Sequence, residues 1–232
     1  MKVSEAVKKR LDELTSALVK AHGDDLVSVL VHGSAVRGGW KEGSDVDLVI
    51  VLKQASRKSL ESSANALQGA RWSTRIEAMI LREEEIARAA DVFPVFYDEI
   101  KQHHVVLHGK DVFADLKIER SHLRLRVEQE LREAQIRMRR AVVDAQGNAD
   151  ALRGAVARKI RQVRSPLRAL LDLLNVTTEH DLGAVLRTAC KTFDVDAGPL
   201  LQADEDPGAA HAALVRLLDA AIAKVDAMED AS

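Results

Sequence analysis

Along the first half of the chain the spacing of hydrophobic positions changes several times. In MKVSEAVKKRLDELTSALVKAHG they recur every three to four residues, which predicts an amphipathic helix. LVSVLVHG (26–33) is instead a short, continuous apolar run rich in valine, the pattern of a strand buried on both faces, and VDLVIVL (46–52) repeats it. Residues 57–70 return to helical spacing, RIEAMIL (75–81) reads as another strand, and HVVLHG (104–109) predicts a last one.

From about residue 112 the strand signals stop. Leu123, Val127, Leu131, Ala134, Met138 and Ala141 follow helical spacing, as do Leu152, Val156, Ile160, Val163, Leu167 and Leu174, so two long helices are expected. AQGNAD (145–150) is the turn between them, and Pro166 should kink or divide the second. A third helix near 180–192 and a fourth near 208–228 complete a bundle, separated by a Gly-, Pro- and acid-rich stretch. The pattern predicts an α+β chain: a mixed sheet flanked by helices over residues 1–115, then an all-α bundle over 116–232.

Composition adds limits. Hydrophobic residues at 47% and charged residues at 30% are those of a folding, globular chain. The lone cysteine, Cys190, excludes an internal disulfide and a cysteine-based metal centre; among Leu186, Ala189 and Phe193 it reads as an inert core thiol. The opening helix is unlike a secretory leader and no apolar run is long enough to span a bilayer, so the expectation is a cytoplasmic protein with no membrane partner. Net charge is only −2, yet residues 117–168 carry fourteen basic and six acidic side chains. That stretch reads either as a solvated helix surface or as a face for a phosphate-rich partner such as RNA. With aromatics at 3%, base stacking cannot dominate recognition.

The informative text is VHGSAVRGGWKEGSDVDLVIVL (31–52). Asp45 and Asp47 stand two apart at the start of an apolar strand, so both carboxylates leave one face. Like charges held together at a partly desolvated strand mouth need a compensating cation, and magnesium takes oxygen ligands while keeping positions for water and phosphate. Gly33 and Ser34 follow a strand directly and precede AVR, which can begin a helix; a glycine backbone and a hydroxyl there cradle phosphate. Arg37 is placed to add a charge-assisted contact. Glu77, the acid inside RIEAMIL, is the candidate third carboxylate, with an ordinary ion pair to Arg75 as the alternative. His103, His104 and His108 lack an acidic partner at ligand spacing and are not read as a metal site.

Gly33-Ser34, ten intervening residues and Asp45-Val46-Asp47-Leu48, with Ser44 before the first aspartate, resemble the signature of the DNA polymerase β-like nucleotidyltransferases. FPVFYDEIKQHHVVLHGKD (93–111) is similar to the segment that closes the catalytic domain in small bacterial members. The helical remainder resembles, by architecture alone, the C-terminal bundle of the aminoglycoside and lincosamide nucleotidyltransferases. The resemblance implies a nucleotidyltransferase-type sheet and transfer of a nucleoside monophosphate from a nucleoside triphosphate, such as ATP, to an acceptor hydroxyl. Two magnesium ions would be held by Asp45, Asp47 and Glu77, and Gly33, Ser34, Arg37 and Ser44 would serve the nucleotide. A small-molecule acceptor is favoured, with Glu128, Glu130 or Glu133 as base or cation-binding groups; tRNA, a partner protein, and a nucleotide-binding module without turnover are the alternatives. A homodimer is compatible with the text.

Overall fold

The computed structural model describes residues 1 and 3–228. They divide into two compact units, Met1–Ile118 and Glu119–Ser232. The first unit runs α1 (Glu5–His22), β1 (Leu26–His32), α2 (Ser34–Arg37), β2 (Val46–Leu52), α3 (Arg57–Thr74), β3 (Ile76–Arg82), α4 (Glu83–Arg88), α5 (Pro94–Gln102) and β4 (Val105–Gly109). The four strands form one mixed sheet in the order β3-β2-β1-β4. β1 is antiparallel to β2 and β4, whereas β2 and β3 are parallel, as the crossover through α3 requires.

The valine-rich runs are the two central strands, and their inaccessibility on both faces explains why no polar alternation interrupts them. On one face Leu11, Leu14 and Leu18 of α1 and Ala70 of α3 pack on Val29, Val31, Leu48 and Ile50. On the other, Ile86, Tyr97, Ile100 and Phe113 pack on Leu30, Val49 and Val51. Each such apolar side chain contributes about 1.5–3 kcal/mol on burial, so this two-sided core fixes where β2 begins. Serine side chains start the flanking helices: Ser4 accepts from the Val7 amide and Ser56 from the Ser59 amide.

Three local expectations are corrected. Arg75 lies outside β3; it caps α3 with φ 53°, and its N–H donates back to the Ala70 and Arg71 carbonyls. α4 and α5, two short helices that the sequence reading did not separate, cover one face of the sheet. His104 does have an acidic partner, since its Nε2 lies 3.0 Å from Asp111 Oδ2.

Among its described residues the second unit has helices and no strand: α6 (Arg120–Ala145), α7 (Ala149–Gln162), α8 (Arg164–Leu173), α9 (Leu182–Thr192), α10 (Gly198–Leu201) and α11 (Pro207–Asp226). α6 packs on α7, α8 and α11 through Leu123, Val127, Leu131, Ala134 and Met138, the spacing expected of it. Pro166 divides the second long helix, which breaks at Val163 into α7 and α8. Among the described residues, no helix is long and apolar enough to cross a membrane.

Candidate active site

The site forms where β1 ends and β2 begins. β1 gives way at Gly33 to the single turn of α2, whose Val36 and Arg37 amides both donate to the Gly33 carbonyl. Gly33 has φ 72°, and a Cβ built on it would lie 2.1 Å from Asp47 Oδ2. The glycine is therefore required twice, by its backbone conformation and by the carboxylate against it. Among the described residues, no protein group hydrogen-bonds the Ser34 hydroxyl, which opens α2.

Register brings the next acid in. Asp47 pairs with His32 of β1 on one side and with Glu77 of β3 on the other. In-register residues on parallel strands project from one face, about 4.8 Å apart. Asp47, Glu77 and His32 accordingly line one cavity of about 230 Å³, together with Met79 and Phe96.

Asp45 precedes β2 and turns toward the end of α3, where Arg75 Nε donates to its Oδ1 at 2.7 Å. Glu77 is an ion-pair partner as its alternative reading held, but with Arg71, whose Nε lies 3.0 Å from Oε1. Ser44 closes the loop ahead of the aspartates: its hydroxyl accepts from the Lys41 amide and its carbonyl from the Trp40 indole. Arg37 forms an ion pair with Glu99 of α5, both side chains being largely buried. It thus ties the Gly33–Ser34 turn to the helix that covers the sheet.

Three contributors went unread in the sequence: His32, Phe96 and Arg71. His32 had a signal, its position immediately before Gly33. Phe96 meets its ring edge-on, with centroids 5.6 Å apart. Burial, against the pull of Asp47, holds the His32 imidazole below the ordinary histidine range, and Arg37 and His104 add to the lowering.

The acids are of the type that holds magnesium, an oxygen-seeking cation, and their placement on adjacent strand ends fits it. Among the described residues, no three acidic, histidine or cysteine side chains already stand in a metal-holding group. Arg71 of α3 pairs with Glu77 and the capping Arg75 with Asp45, and both acids are about half exposed.

Comparison with known proteins settles the family. The model of the nucleotidyltransferase domain matches residues 11–137, more than half of the chain. The chain belongs to the nucleotidyltransferase family. Its fold is similar to that of a spectinomycin adenyltransferase of Enterococcus faecialis, solved with ATP and spectinomycin, at a TM-score of 0.55 over 94% of this chain and 99% of that one. Sequence identity there is 11%, so the likeness is one of fold. A Methanocaldococcus jannaschii protein named as a protein adenylyltransferase is 37% identical over 51 residues, 22% of this chain. That stretch spans about a third of the relative's length (35%).

Half of the basic residues of the 117–168 stretch stand in ion pairs. Arg124, Arg126, Arg132, Arg137 and Arg140 each pair with an acid on α6 four residues away. Arg164 and Arg168 are buried in α8, where Arg168 pairs with Asp172 at 2.7 Å. A solvated, ion-paired helix surface accounts for these side chains, and the two buried ones cannot meet RNA.

Proposed function

We propose that this nucleotidyltransferase moves a nucleoside monophosphate from a nucleoside triphosphate to an acceptor hydroxyl and releases pyrophosphate, with residues 1–115 as the catalytic domain. The observation that carries the reading is Gly33 pressed against Asp47, with Glu77 in register on the next strand, in a chain of this family.

Asp45, Asp47 and Glu77 would hold two magnesium ions, which when bound supply charge neutralisation of the phosphates and an acceptor oxygen that ionises more readily. The chain's own residues do the positioning. The turn of Gly33 and the Ser34 hydroxyl orient the β and γ phosphates for in-line attack at the α phosphate. Arg37, paired with Glu99, holds that turn and is placed to add a charge-assisted contact to the triphosphate. Ser44 keeps the loop before Asp45 closed through its bonds with Lys41 and Trp40. His32, neutral beside Asp47, and Phe96 shape the apolar side of the cavity. No covalent enzyme intermediate is needed.

The acceptor we favour is a small-molecule hydroxyl, supported by the fold likeness to the spectinomycin enzyme. A protein hydroxyl is the second reading, supported by the local sequence match to the archaeal relative. The test is incubation with magnesium and each labelled triphosphate against aminoglycosides, RNA and co-purifying proteins. Pyrophosphate release that Asp47→Ala abolishes is the expected result. Binding of triphosphate with no turnover on any acceptor would leave a binding module instead.

A further inference from the structure

We propose that Arg71 and Arg75 are resident counter-cations of the acid set, holding Glu77 and Asp45 so that a divalent ion is taken up well only together with a triphosphate. The inference rests on the reading of Asp45, Asp47 and Glu77 as metal ligands. Both arginines come from the C-terminal end of α3, the crossover that also sets β3 beside β2. The same connection therefore delivers the third acid and the cations that occupy the site's outer oxygens.

Arg75 is fixed where it is needed by its backbone. Its carbonyl accepts from the Val46 amide at 3.0 Å, one residue from Asp45, and its N–H closes the last turn of α3. Its guanidinium reaches Asp45 Oδ1 at 2.7 Å, while that of Arg71 reaches Glu77 Oε1 at 3.0 Å.

An oxygen that accepts from a guanidinium offers less to a cation, and the guanidinium's charge repels that cation. Release is feasible, since the arginine side chains are 58% and 63% exposed. Once released, they are two positive charges with no carboxylate, at the β3 side of the acid set. Phosphate oxygens accept such donors readily. Each ligand then improves binding of the other, and the coupling is reciprocal.

The test measures Mn²⁺ binding to the full chain, by paramagnetic resonance of the free ion, with and without a non-hydrolysable triphosphate. Wild type is compared with Arg71→Gln/Arg75→Gly and with Asp45→Asn/Asp47→Asn. Glycine at 75 preserves the left-handed helix cap, and melting curves verify folding. Two exposed ion pairs predict roughly 3- to 20-fold tighter Mn²⁺ binding without nucleotide in the arginine variant, and a gain from triphosphate that shrinks by a similar factor. No gain in the arginine variant, with binding still abolished by the acid variant, overturns the counter-cation role and leaves the metal site standing. Equal Mn²⁺ binding by wild type and the acid variant overturns the metal site and this inference with it.

Discussion

At the scale of single residues, Gly33 makes the sharpest demand. Alanine there must either move Asp47 Oδ2 or break the turn, and it also meets a positive φ. Strain of this kind costs on the order of 1–3 kcal/mol, whereas a misplacement of about 1 Å at a reacting site costs about 100-fold in rate. Gly33→Ala should therefore melt a few degrees lower yet lose pyrophosphate release by about two orders of magnitude. A variant with full activity would remove Gly33 from the phosphate turn. Gly33, Ser34 and the aspartates were legible because a backbone cleft beside paired carboxylates needs those residue types at close spacing. The arginine partner of Glu77 was read wrongly because strand alternation places Arg75 on Glu77's face, and the left-handed cap at Arg75 removes it from the strand. Phe96 carries no signal of its own and His32 only its place before Gly33; the register opposite Asp47 and the packing of α5 bring them to the acids.

At the scale of elements, the pair of Arg37 and Glu99 joins α2 to α5 with both side chains mostly out of water. Deleting one partner of a buried pair costs about 3–5 kcal/mol, and replacing both by apolar groups of similar size is often neutral. Arg37→Met alone should lower stability by about 2–4 kcal/mol in urea unfolding, and Arg37→Met/Glu99→Met should recover most of it. If the single variant keeps its stability but loses triphosphate affinity, Arg37 acts as a phosphate ligand alone. The central strands were readable since burial on both faces leaves an uninterrupted apolar run. α5 was not, because PVFYDEIKQ is nine residues long and half of it is buried, which blurs any helical stripe. Pro166 marked a break in advance, and the chain places it in the first turn of a new helix, where its missing N–H is harmless.

At the scale of the whole molecule, the chain forms two compact units, each with buried apolar residues of its own. The sheet unit has them in two layers around β1 and β2, and the helical unit has them around α6 and α11. A fragment of residues 119–232 is thus expected to be helical by circular dichroism and to unfold cooperatively. Cys190 on α9 reports on that core. It is 1% exposed, and burial, with Asp196 adding to it, pushes its thiol up to about 11. A thiol reagent at pH 8 should label it slowly in the folded fragment and at once in urea. The same shift sets a pH dependence. Because the folded value lies above the unfolded one, the thiol's contribution is complete below about pH 9 and is lost as pH rises toward 11. Cys190→Ala should flatten that part of the stability curve, while every other titration in the window is common to both proteins and cancels in the difference. Rapid labelling of the native fragment would mean that α9 does not close over the thiol without the sheet unit, and the two units would then not be independent in folding.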